Sequence, residues 1–303
     1  MHYLDFDFSD EDSGYKNHMK ILSWGLASIL LAGGVLVLWQ LRKVSADERD
    51  SAEARRALLK GAALATPPSY DPRMVAELPE PARRFFNFAI APGTPLKSVV
   101  EIKMAGELSL GTKQEPNYLP MRARQVLAAP HGFVWEIEAG KGLMRVSGSD
   151  GMLRDRSWTR FWLLRAVPVA RVDGDSDHLR SSFGRLVAEA AFWSPAFLLP
   201  REGVVWTQVD KDTARASVTH GALAQSVDIH VDAAGQPLWA SLPRWSNANP
   251  QKIYRVQPFG GELSDFRTVE GFRVPFRVDG GNFFGTPDYF PFYRARVLEL
   301  RFS

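Results

Sequence analysis

The sequence predicts a mainly β (α+β) fold: a large curved antiparallel sheet or half-barrel with one covering helix, preceded by an N-terminal transmembrane helix. Three observations lead there. From Leu96 onward, short runs alternate apolar and polar residues between turns containing Gly, Pro and Asp. One segment among them, 177–193, has helical rather than strand periodicity. Finally, the 21 residues ILSWGLASILLAGGVLVLWQL (21–41) contain no charge.

Composition sets the bounds. The 303 residues are 45% hydrophobic and 23% charged, enough to bury a substantial core in one large or two ordinary domains. There is no Cys, which excludes disulfides, thiolate metal sites and cysteine nucleophiles. The net charge is +3 and the Arg and Lys residues are scattered, so no nucleic-acid partner is expected.

At about 1.5 Å per residue, the uncharged run is roughly 30 Å long, the thickness of a bilayer's hydrocarbon core. Trp24 and Trp39 sit near its ends, where indole rings favour the interface. A cleaved signal peptide would be shorter and begin basic. Here the tail 1–20 is acidic, with Asp5, Asp7, Asp10, Glu11 and Asp12, so 21–41 reads as an uncleaved single-pass anchor in the lipid bilayer. Lys16 and Lys20 precede it, whereas Arg42, Lys43, Arg49, Arg55, Arg56 and Lys60 follow, which points to a cytoplasmic C-terminal side. Asp47, Glu48, Asp50 and Glu53 are mixed among them, and the rule is weak when a large domain follows a lone helix.

Residues 42–77 read as a helical stalk, rich in Ala, Arg and Glu, and a linker, ATPPSYDP, whose prolines stop a helix. LPEPARRFFNFAI then predicts a short helix that opens the main domain, 78–303. Strand-like runs follow: VVEIKMAGELSLG, MRARQVLAA, GFVWEIEA, GLMRVSGS, GVVWTQVD, TARASVTH, SVDIHVDAAGQPLWASLPRW, FRTVEGFRVPFRV and YRARVLELRF. Short connections make neighbours antiparallel, in a meander of about nine to twelve strands. A sheet of that size must curl, and a helix laid over its concave face leaves room for an apolar ligand.

The helix 177–193 has N-cap candidates in Asp175, Ser176 and Asp177, and Pro195 stops it. Leu179, Phe183, Leu186, Val187, Ala190 and Trp193 share one face at 100° per residue. Arg185 and Glu189 lie one turn apart on its flank, in the weaker Arg-then-Glu order. Two readings stand: a core helix with a surface ion pair, or a pair guarding the mouth of a cavity.

Catalytic motifs are missing. No HExxH, P-loop, G-x-G-x-x-G or G-x-S-x-G occurs; SGSDG (Ser147–Gly151) has Ser where the first Gly belongs and reads as a turn. His220 and His230 stand ten apart across an expected hairpin and could meet there. No catalytic residue, metal site or cofactor is predicted. Aromatics are abundant, among them Trp135, Trp158, Trp193, Trp206, Trp239 and Trp245, and FFGTPDYFPFYR (Phe283–Arg294) reads as a loop folding over one end of the sheet.

LPEPARRFF, APGTPL, MRARQVLAAPHGFVWE, RAVPVARVDG, GRLVAEAAFWSPAFLLP and PFGGELSDFRTVEGFRVPFR, in that order, resemble an uncharacterised bacterial membrane-associated family, a domain of unknown function, over roughly Leu78 to Phe302. The resemblance implies a fold similar to lipoprotein-carrier half-barrels and brings no established activity. The family pattern includes the positions of Arg185, Glu189 and Trp193; the acidic tail is not associated with it.

These readings predict a membrane-anchored, noncatalytic domain that binds a lipid or other apolar ligand. Trp135 and Trp193 would pack the ligand's chain, Arg185 or Arg244 would pair with an anionic head group, and Glu189 would stand at the mouth. The alternatives are a structural or interaction module of an envelope assembly and, third, a hydrolase using Glu189 with a Ser or a water. The expected location is the bacterial inner (cytoplasmic) membrane; the Lys/Arg count points to the cytoplasmic side and the fold analogy to the extracytoplasmic side.

Overall fold

A computed structural model describes residues 9–62 and 67–303; positions 1–8 and 63–66, and the side chains at 9–23, 25–30, 32 and 62, lie outside the described residues. Two units are distinguished, Met1–Ala46 and Asp47–Ser303. Helix α1, Ser9–Ala62, supplies all the described structure of the first. In that unit Leu31, Val35, Leu36 and Leu38 are exposed. The expected tail 1–20 and ten positions of the expected anchor 21–41 lie outside the described side chains. Among the described residues no helix is long and apolar enough to cross a membrane, so the anchor is not found there.

The second unit is built on a 13-stranded antiparallel sheet. Strands β1 (Val99–Ser109), β2 (Tyr118–Ala128), β3 (Gly132–Ala139), β4 (Val146–Leu153), β5 (Arg156–Leu163) and β6 (Val167–Asp173) meander to one edge. Helix α3, Ser176–Trp193, then crosses to the opposite edge. There β7 (Val204–Gln208) starts a return through β8 (Thr213–His220), β9 (Leu223–Val231), β10 (Pro237–Ser246), β11 (Arg255–Val269) and β12 (Phe272–Asn282). The last strand, β13 (Phe290–Phe302), pairs with β1 and joins the two halves.

Because α3 connects the two edge strands, it must pass over one face of the sheet. It touches β3, β4 and β5 in one half and β9, β10 and β12 in the other. In a flat sheet β5 and β9 would be nine spacings apart, roughly 43 Å, while the 18 residues of α3 span about 27 Å. The sheet therefore curves around the helix. Phe183, Leu186, Val187, Ala190 and Trp193 are all buried on the concave side, as the helical period predicts. Helix α2, Glu80–Ala89, packs Phe85 and Phe86 against Trp206 of β7, with ring centroids 6.3 and 5.5 Å apart.

The sheet has two more strands than the strand-like runs of the sequence yield, and they are β5 and β6. β6 is an edge strand almost wholly exposed, so it has no buried face to produce alternation. β5 places its two tryptophans on the convex face: Trp158 and Trp162 are buried there with Arg160 between them. What covers them is the C-terminal part of α1, expected to be a stalk. Ala54 and Leu58 pack against Val99, Val126, Val134 and Trp158, and Trp162 donates to Asp47 at 3.0 Å. Gly151 of β4 makes this layer possible, because a Cβ there would come 2.4 Å from the Trp158 ring. SGSDG is thus strand within β4, not a turn.

Candidate functional site

Between α3 and the concave face lies a cavity of about 290 Å³, near the small end of the ~300–1,000 Å³ usual for ligand sites. Its wall is mainly apolar: Leu108, Phe161, Phe192, Leu242, Leu263 and Phe292 contribute much of it. Gly280 lines it too, and a Cβ there would meet nothing nearer than the Gly260 carbonyl at 3.8 Å. Trp135, Arg185, Glu189, Trp193 and Arg244, the five residues singled out from sequence, all face this one cavity.

Each is positioned by regular structure. Asp175 caps α3 by accepting from the backbone N–H of Asp177 and His178 at 2.8 and 3.2 Å, which sets where the helix begins. Arg185 and Glu189 then follow on the flank that faces β3 and β4. Trp193, on the last turn, is fully buried and donates its indole N–H to the Pro275 carbonyl at 3.1 Å. Trp135 projects from β3, its ring edge-on to Phe161 and Tyr293 at 6.3 and 6.2 Å. Arg244 comes from β10.

The two arginines have opposite surroundings. Arg185 Nε donates to Glu189 at 2.6 Å and its NH1 to Asp150 of β4 at 2.6 Å. Its guanidinium lies 4.7 Å from the Phe133 ring and 4.9 Å from the Trp135 ring. Glu189 also accepts from Gln125 Nε2. With the side chains of Arg185 and Glu189 only 15% exposed, this is not a surface ion pair. Burial alone would lower the Arg185 pKa, but Glu189 and Asp150 outweigh it and hold the pKa above its usual range. Asp150 is the site residue the sequence reading missed, because SGSDG resembles a turn and the partner needed to identify it lies 35 residues away.

Arg244 has no such partner. Among the described residues no carboxylate lies within ion-pair distance of it, although Asp150 and Glu189 are close enough to act on its charge, and its buried Nε donates to nothing. The contact it makes is with the Phe259 ring, 4.9 Å away. Burial, together with the nearby Arg185 charge, pushes its pKa down to about 10. The Trp135 indole N–H is likewise buried and makes no hydrogen bond of good geometry, though it interacts with the Tyr293 hydroxyl.

Nothing in the wall pairs a nucleophile with a base. His178 takes a hydrogen bond from Ser157 at Nδ1 (2.8 Å) and donates from Nε2 to Thr159 (2.8 Å), because Thr159 spends its own proton on Asp150. Burial holds His178 below its ordinary pKa. Ser157 and His178 do not line the cavity, and Glu189 accepts from Arg185 and Gln125 rather than from a hydroxyl. Among the described residues no cluster of His, Asp and Glu is arranged to hold a metal ion.

Two other expectations change. His220 meets His131, ring centroids 5.9 Å apart, whereas His230 stacks on Trp239 at 4.9 Å. The aromatic run Phe283–Arg294 is a turn only as far as Asp288; from Phe290 it is β13. Phe292 and Tyr293 there line the cavity.

The profile of a family of unknown function (DUF6544) matches residues 68–295. The chain belongs to the DUF6544 family. Its match takes in the whole cavity wall of this DUF6544 domain. No curated protein matches the chain. Among solved structures, the DUF6544 chain is similar to a domain described as that of an outer membrane lipoprotein-sorting protein from Vibrio parahaemolyticus, at 12% identity and a TM-score of 0.36, over 68% of this chain and 86% of that one. It is also similar to a LolA superfamily protein from Nitrosomonas europaea, at 8% identity and a TM-score of 0.38, over 74% and 92% of the two chains.

Proposed function

We propose that this chain is a membrane-anchored, noncatalytic domain that takes a single apolar chain into the cavity between α3 and the sheet. The observation that carries this is a mainly apolar cavity of about 290 Å³ between α3 and the concave face of the sheet. A cavity near the small end of the usual range for ligand sites suits one short chain, of about ten carbons. Burying ten methylenes contributes ~8 kcal/mol, against an association cost of ~4–15 kcal/mol. Apolar contact alone thus gives weak binding, and a polar anchor decides the affinity.

Titrating the purified full chain with N-phenyl-1-naphthylamine tests the reading: fluorescence should rise and saturate at one probe per chain. No rise, together with native mass spectra showing only the bare polypeptide after gentle extraction, would overturn it. The uncharged run 21–41 and the exposed Leu31, Val35, Leu36 and Leu38 support the anchor. It predicts that the chain stays in the membrane pellet after alkaline carbonate extraction, and a reporter fused at Ser303 gives the side.

A second reading, an interaction module, draws on edge strand β6, where Val167 and Val169 are exposed. It predicts a stable protein complex that Val169→Lys abolishes while probe binding is unchanged.

A further inference from the structure

The cavity wall distinguishes its two arginines, and that difference specifies the ligand. Arg185 is committed to Glu189 and Asp150, each at 2.6 Å. Arg244 is not committed to any acceptor, and its buried Nε has none. The other polar atom in the wall without a hydrogen bond of good geometry, Trp135 Nε1, is also an N–H donor, with the Tyr293 hydroxyl beside it. Buried donors without acceptors are costly to a fold and are rarely left so without a reason. Both unmet groups point to a ligand that brings acceptors, and a guanidinium is the donor best suited to a carboxylate or phosphate. Arg244 stays partly exposed as a residue while its Nε is buried, so it stands where a chain lying in the cavity would present its polar end.

We infer that the cavity selects an amphiphile with an anionic head, carboxylate or phosphate, which Arg244 binds while the chain lies against Trp135 and Trp193. This rests on the apolar-ligand reading above and sharpens it. Arg185 offsets only one of the two carboxylate charges of Glu189 and Asp150, so the Arg244 charge is what leaves the wall neutral before the head enters.

The test uses three ten-carbon probes with the same chain: decanoate, decyl phosphate and decanol, each displacing N-phenyl-1-naphthylamine from the full chain. At least one of the two anions should bind about tenfold or more tighter than decanol; which one does tells a free carboxylate from a phosphate head. Arg244→Gln should remove that preference, weakening the preferred anion about tenfold while decanol affinity changes much less, whereas Arg244→Lys should keep part of it. Far-UV circular dichroism and the melting temperature confirm that both variants are folded. If decanol binds as tightly as the anions, or Arg244→Gln keeps the preference, the inference fails while the apolar cavity stands. If no probe binds, both fail.

Discussion

Arg185 and Glu189 are bound to each other one turn apart on α3, Nε to Oε1 at 2.6 Å, and Asp150 from the facing strand closes on the other side of the guanidinium at 2.6 Å. One cation between two carboxylates, all nearly buried, holds the helix flank to β4 at the cavity wall. Such an arrangement contributes little net stability while complete, because the desolvation of three charges offsets their attraction. Its removal is another matter.

Arg185→Met leaves two buried carboxylates without their cation. It should destabilise the fold by about 3–5 kcal/mol, measured by urea unfolding. Adding Glu189→Met and Asp150→Asn to the same variant should restore most of the loss. A triple variant no more stable than Arg185→Met would show that the charges do not carry the effect.

The C-terminal part of α1 belongs to the domain, so its apolar contacts should register in stability. Leu58 is 4% exposed against Val99, Val126 and Val134. Leu58→Ala should cost about 2–4 kcal/mol, as other buried leucines do. A stalk free of the sheet would show no change beyond the small propensity gain of Ala in a helix.

That helix also shows where the sequence was readable and where it was not. The covering helix was legible, because Asp175, the apolar stripe ending at Trp193 and Pro195 are local signals. So was the concave face, at least in strands such as β9 whose other side alternates with it. The α1 contact was not, because its signal is spread over distant residues. Asp47, Asp50 and Glu48, which read as charges diluting a basic flank, are bonded to Arg171, Arg160 and Arg165 of the β5–β6 hairpin. Nor does the sequence tell which face of the sheet Trp158 and Trp162 occupy; both lie on the convex side, under α1. All five candidate cavity residues were legible by type, but Asp150 and the unpartnered state of Arg244 depend on neighbours that only the folded chain brings together.

Two histidines make stability depend on pH. Burial holds the His178 pKa below its ordinary 6.5. Burial likewise depresses His131, with His220, Arg154 and Arg201 adding to it. A depressed histidine binds its proton more weakly folded than unfolded. Stability is therefore complete above the unfolded value of 6.5 and declines as pH falls below it towards the folded pKa. Urea unfolding at about pH 7 and pH 5 should show this decline, and His178→Gln should flatten part of it. A wild-type slope retained in full by His178→Gln would remove His178 from the account.

Two alanines one turn-fraction apart on α3 separate empty space from packed core. Ala188 lines the cavity, while Ala190 is fully buried in the core and does not. The same substitution should then have opposite consequences. Ala188→Leu places its added atoms in open volume, so stability should change by less than ~1 kcal/mol, and N-phenyl-1-naphthylamine affinity should fall at least tenfold because the space is taken. Ala190→Leu forces them into a filled layer and should cost about 1–3 kcal/mol while the cavity keeps its volume. Thermal melts and the probe titration together read both quantities. Equal destabilisation by the two variants, with probe binding unaffected by Ala188→Leu, would mean that the wall beside Ala188 is packed and that the ligand does not occupy it.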